Sequence, residues 1–329
     1  MRLLDAVMQS DDIAQFVKEE LDGVTVISCD NVSRYFFEET DQEHWDMNDF
    51  PNIAPPFAYF WLDMKAPSKV ISKERGITIW RPPAPEYWGF QCYGIDLYSK
   101  DEQDTFLETC IAAHRDHFQS ILPLSRWAMD MYLFVYQQGS ITGPMWIWRL
   151  MVDDQGQIVR SPKTNEAIVS SGCTSDWVQA QIDELAQDIG HEAAMIDMYH
   201  TILPYWYTAL LSISFMHCKN TALDPVNPPL KVPHNKNQKR RGVQPYQPVP
   251  YKVLDIRPMK EVLRTEGQSH HVDASKALHI CRGHFRDYSQ GKGLFGKYKG
   301  IYWVAQHVKG TSSQGVTTKD YSINLNTRQ

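Results

Sequence analysis

Two hydrophobic periods run along this chain. Over residues 3–20, Leu4, Val7, Ile13, Phe16 and Val17 recur at helical spacing. VTVIS (Val24 to Ser28) then reads as a strand. So do FAYFWLDM (Phe57 to Met64), ITIW (Ile77 to Trp80) and WGFQCYGIDLY (Trp88 to Tyr98), all rich in aromatic and β-branched residues. The acidic stretch 38–56 between them ends in FPNIAPPF, which its prolines keep out of helix. Ser99 followed by Glu102 has the spacing of a capping box. It opens a helix to about Leu122, with Leu107, Ile111, Phe118 and Ile121 on one side.

Further along, AMDMYLFVY (Ala128 to Tyr136) and MWIWRLMV (Met145 to Val152) are two more strands. Thr174 or Ser175 caps a helix carrying Val178, Ile182, Leu185 and Ile189. Gly190 interrupts it, and a second helix runs from about His191 to His217, with a kink or break expected near Pro204. From Asp224 to Pro250 the pattern changes. Seven of these 27 residues are proline, and KNQKRR (Lys236 to Arg241) is basic, as in a connector. The remainder reads as short strands at Tyr251–Ile256, Ala277–Phe285, Gly300–Val308 and Asp320–Leu325. The expected class is α+β, a mixed or antiparallel sheet with helices, plus a small basic β-rich C-terminal unit. The expected divisions are an acidic domain at 1–223, a Pro-rich basic connector at 224–250 and a basic unit at 251–329.

Charge sharpens that division. Residues 1–218 carry 14 Lys/Arg against 32 Asp/Glu, whereas 219–329 carry 19 against 7. A split of this size points to two units with different partners, and the basic one can meet a polyanion. The six cysteines are spread along the chain without a CxxC pair, which fits reduced thiols inside a cell. The longest apolar run, Ile202 to Met216, is 15 residues. A membrane span needs about 20, so no membrane association is expected and a cytoplasmic location is.

Candidate chemistry concentrates near the end. If HICRGHFRDY (279–288) is one strand, Arg282, His284 and Arg286 share a face. Two guanidiniums around an imidazole suit phosphate, because arginine offers a fixed fork of donors and histidine exchanges protons near neutral pH. GIYWVAQHVKG would place Trp303 and His307 together. Two readings follow. In one, Lys236, Lys239, Arg240, Arg241, Arg286, Lys292, Lys297 and Lys299 hold DNA or RNA, with Trp303 as a stacking face. In the other, Arg282, His284 and His307 cleave a phosphodiester without a metal. A structural reading stands beside both: His279 and Cys281 as core residues, and the arginines paired with acidic residues upstream. His217-Cys218 with His279-x-Cys281-x-x-His284 could converge on a metal, but the spacing is not that of a structural zinc site, so no metal and no cofactor is assigned. GxGxxG, GxxxxGK[ST], HExxH and GxSxG are absent from the sequence.

FPNIAPPFAYFWLDM, LLSISFMHCKN, KRRG and HICRGHF…LFGKYKGIYWVAQHVKG together resemble an uncharacterised family associated with phages, prophages and other mobile elements. The resemblance spans most of the chain between about residues 50 and 310. It implies a mobile-element setting in a bacterial host and carries no activity or catalytic residue with it. The leading expectation is therefore a nucleic-acid-binding protein of such an element, with or without cleavage. The alternative is an interaction factor that binds a host protein without enzymatic activity.

Overall fold

A computed structural model describes residues 2–10, 13, 15–21, 23–39, 45–66, 85–109, 118–137, 139–231, 245–256, 277–281, 284–291, 293, 298–304, 307–309 and 311–316. It divides into two units. The first comprises 1–217 and 222–255, the second 218–221 and 256–329.

The first unit is built on an eight-stranded mixed sheet, which makes the protein α+β. Its strands are β1 (Thr25–Ser28), β2 (Tyr59–Lys65), β3 (Tyr87–Asp96), β4 (Trp127–Gln137), β5 (Ser140–Val152), β6 (Val169–Cys173), β7 (Thr221–Val226) and β8 (Tyr251–Ile256). The spatial order is β6-β5-β4-β3-β2-β1-β8-β7. From β2 to β6 every neighbour is antiparallel. β1 is parallel to both β2 and β8. The expected boundary at 250/251 therefore shifts. Tyr251–Ile256 aligns Lys252 with Ile27 and Val253 with Ser28, and it buries Leu254, so it belongs to the main sheet. Part of the expected connector is also strand, and Lys231 bridges to Tyr246.

Strand alternation gives the sheet two unlike faces. On one face Phe60, Leu62, Met64, Trp88, Phe90, Met131, Leu133, Trp146 and Trp148 are all buried. The helices here are α1 (Leu3–Gln9), α2 (Gln15–Glu20), α3 (Asp30–Arg34), α4 (Lys100–Thr109), α5 (Asp176–Ile189) and α6 (His191–Met216). The long apolar helix α6 covers the aromatic face. Trp206 stacks on Trp148 with centroids 5.5 Å apart at 7°, and Trp88 Nε1 donates to Thr208 Oγ1 at 3.3 Å. Gly190, at φ +87°, separates α5 from α6 as expected, since that backbone favours glycine. Pro204 does not break α6, which runs through it. Ser175 occupies the N-cap of α5, but its side chain makes no capping bond.

Among the described residues, the opposite face is covered at its two ends. Leu3, Leu4, Val7, Ile13, Val17 and Leu21 pack on Trp61 and Phe134 at one end. Phe106, Phe118 and Ile121 pack on Ala128 and Met151 at the other. Ser99 opens α4, with Glu102 N–H near Ser99 Oγ at 3.5 Å. The reciprocal half of the capping box is replaced: the Glu102 carboxylate accepts from the Asp96 N–H at 2.6 Å.

The second unit contains β9 (Ala277–Cys281), β10 (His284–Asp287), β11 (Ile301–Val304), β12 (His307–Lys309) and β13 (Thr311–Val316). β10 and β11 form an antiparallel pair, and β12-β9-β13 a separate three-stranded sheet. The HCKN block joins the first pair. Asn220 donates to Trp303 O and accepts from Trp303 N–H, both at 2.8 Å, and Lys219 N–H donates to Ile301 O at 2.8 Å. The expected strands at 77–80 and 320–325 lie outside the described residues. Among the described residues no helix is long and apolar enough to cross a membrane.

Candidate binding cleft and the C-terminal hairpin

The half-covered face of the main sheet holds a cleft of about 860 Å³ between α2 and α4. The pairing register explains its floor. Tyr59 lies opposite Tyr93, Tyr93 opposite Asp130, Asp130 opposite Arg149, and Arg149 opposite Ser170. One polar row thus crosses five strands. Two residues along, Gln91, Tyr132 and Ile147 form the neighbouring row.

Most polar groups in the floor are tied to one another. Arg149 makes a two-pronged contact to Asp130, Nε to Oδ1 at 2.7 Å and Nη2 to Oδ2 at 2.5 Å. Its guanidinium also lies 4.9 Å from the Phe106 ring centroid. Tyr59 and Tyr93 stack at 4.8 Å, and Tyr132 meets Tyr93 edge-on at 5.9 Å. Gln91 Nε2 donates to Tyr93 Oη at 2.6 Å and Tyr59 Oη at 3.1 Å. Tyr93 O–H in turn donates to Glu20 Oε2 at 2.9 Å. Burial pushes the Tyr59, Tyr93 and Tyr132 phenols above their ordinary range, and for Tyr93 the Glu20 carboxylate pushes further the same way. These three therefore stay protonated donors with intact aromatic faces throughout the physiological range. Glu20 on one wall, and Asp101 and Glu102 on the other, bring carboxylates to the mouth.

None of these residues stands out in the sequence as a site. The available signal is Gln91 and Tyr93, Asp130 and Tyr132, and Arg149 at alternate positions in strands otherwise apolar. That alternation shows a polar face, but only the pairing register shows that the polar positions align.

The C-terminal candidates are placed as follows. His284 and Arg286 are exposed on β10, opposite Val304 and Tyr302 of β11. Arg286 lies over the Tyr288 ring at 5.0 Å, and Lys299 is exposed. The Asp287 carboxyl is held below its usual range, first by the Ser289 side chain and then by the Ser289 N–H. Trp303 is not an exposed stacking face. It is only 5% exposed, because β11 turns it onto Phe285, edge-on at 4.8 Å. The single strands expected at 277–285 and 300–308 are each divided between the two small sheets, so Trp303 and His307 do not share a strand. The His307 backbone lies opposite Cys281 on β12, and its side chain lies outside the described residues. Lys236, Lys239, Arg240, Arg241, Arg282, Lys292 and Lys297 are also outside them. Of the proposed acid–base group, only His284 has a described side chain.

His217 Nε2–H donates to Ala54 O at 2.8 Å, and burial holds its pKa below the ordinary value. The Cys218 thiol is pushed up to about 12 by burial. Among the described residues no three His, Cys, Asp or Glu side chains are grouped to hold a metal ion. No family model, curated protein or solved structure matches the chain.

Proposed function

We propose that the protein is an interaction factor of a mobile element, and that the cleft of its first unit holds a cationic segment of a partner protein. One observation carries this reading: three tyrosines line or adjoin the floor of a cleft whose mouth bears Glu20, Asp101 and Glu102. Tyrosine faces attract ammonium and guanidinium groups, and carboxylates at the mouth add long-range attraction. The volume lies in the range of about 300–1,000 Å³ typical of ligand sites. The first unit carries 20 Lys/Arg against 34 Asp/Glu, which disfavours a polyanion. A labelled heptapeptide alternating lysine with threonine tests the reading by fluorescence anisotropy. It should bind in preference to its glutamate counterpart, and Glu20→Gln with Asp101→Asn should weaken it about tenfold, less so at high salt. Equal affinity for the two peptides would overturn the proposal.

Nucleic-acid binding by the second unit is the second reading. It is supported by exposed His284, Arg286 and Lys299 and by 13 Lys/Arg against 5 Asp/Glu in that unit. Binding to duplex DNA should then fall with salt by a log–log slope of about −0.9 per phosphate contacted, and Arg286→Ala should flatten it by about one contact. Absence of DNA or RNA binding at low salt would exclude it. Were cleavage observed, His284→Ala should abolish turnover and leave most binding.

A further inference from the structure

We infer that the partner segment is held as a ninth strand on the open edge of β6, its alternate side chains entering the cleft. This rests on the cleft reading above and adds the mode of binding. β6 ends the sheet, and no described strand pairs with its outer side. The hydrogen-bond phase of that edge follows from a single contact. Thr174 N–H donates to Met145 O at 3.1 Å, one step beyond the Cys173–Trp146 pair. In an antiparallel ladder bonded and non-bonded pairs alternate. Ser170 and Gly172 therefore bond to β5, while the N–H and C=O of Ser171 and Cys173 turn toward the open edge.

Two further features favour an added strand here. First, the edge reaches the cleft: Ser170 of β6, with Pro144, Ile147 and Arg149 of β5, lines it, and a Cβ on Gly172 would meet open space. An extended segment laid along β6 would thus send every second side chain over the floor. Second, the two ends of the sheet are defended differently. β7, at the far end, carries Asp224 and Pro225, whereas β6 reads VSSGC, with no charge and no proline. Sheets commonly blunt exposed edges with those devices, and an edge left without them is a template for strand addition. The occupant is an extended polypeptide with basic residues at alternate positions, matched to the carboxylates at the cleft mouth.

The full-length protein and the alternating lysine–threonine heptapeptide test this together. At saturation the Ser171 and Cys173 amides should exchange with solvent at least tenfold more slowly. The same peptide N-methylated at alternate residues should bind at least tenfold more weakly. Ser171→Pro should do likewise with little change in melting temperature, because the Ser171 N–H makes no bond to β5. The N-methylated peptide keeps the test valid should that variant fold poorly. Binding with unchanged exchange at Ser171 and Cys173, and with equal affinity for the methylated peptide, would overturn strand addition and leave the cleft reading standing. No binding of either peptide would sink both. Slower exchange at high protein concentration without peptide would show a second copy on the edge, and would also overturn the proposal.

Discussion

Replacing Arg149 by methionine isolates the energetics of the cleft floor. The side chain is 13% exposed and that of its partner Asp130 is 7% exposed. Methionine retains most of the aliphatic stem but removes the guanidinium over Phe106 and both its bonds to the carboxylate, leaving a buried anion with its counter-charge gone. Breaking a buried pair from one side costs about 3–5 kcal/mol. Replacing both partners with apolar residues of similar volume is far milder, since the desolvation of two charges disappears along with their attraction. Urea unfolding followed by tryptophan fluorescence should therefore show Arg149→Met destabilised by about 3–5 kcal/mol. The double variant Asp130→Leu/Arg149→Met should recover most of that, within about 1 kcal/mol of the native chain. A single-variant cost below about 1 kcal/mol, the range of a solvated pair, would refute the claim that this contact is desolvated. A double variant no better than the single would place the cost in lost packing.

Two other perturbations read different parts of the molecule. The fully buried Asp63 carboxyl is pushed up to about 7, chiefly by burial, with Arg2 3.8 Å away opposing the shift and Asp30 adding to it. A folded pKa above the unfolded one means the native state holds an extra proton between about pH 4 and 7, so this group's stabilisation is complete below pH 4 and lost as pH rises through 7. Unfolding free energies at pH 5.5 and 8 should fall more steeply in the native chain than in Asp63→Asn, and parallel slopes would contradict the assignment. In the second unit, Asn220→Ala removes the two amide hydrogen bonds to the buried Trp303 backbone. It should cost about 1–3 kcal/mol by calorimetry, at about 0.5–1.5 kcal/mol for each of the two hydrogen bonds lost, and an unchanged transition would show that water replaces the amide.

The distribution of polar and apolar residues by itself determined a good deal here. Aromatic, β-branched runs marked β2, β3, β4, β5 and β8, because a strand that buries one whole face has few other compositions open to it. The apolar run Ile202 to Met216 marked the helix that covers that face. Gly190 marked the break before it, because its backbone conformation penalises a side chain. β6 stayed hidden, since VSSGC has neither alternation nor bulk, and β7 lay in a stretch whose prolines suggested a connector. Clustering of positive residues near the end of the chain drew attention to Arg286 and Trp303, yet nothing local to Trp303 says that β11 turns its ring onto Phe285. The cleft was least visible of all. Tyr59, Tyr93, Asp130, Arg149 and Ser170 are scattered over 112 positions, and each alone is an ordinary strand residue. Periodicity reports which side of a strand a residue takes. Which residues become neighbours across strands depends on register, and register is settled by turns and by the packing of distant segments.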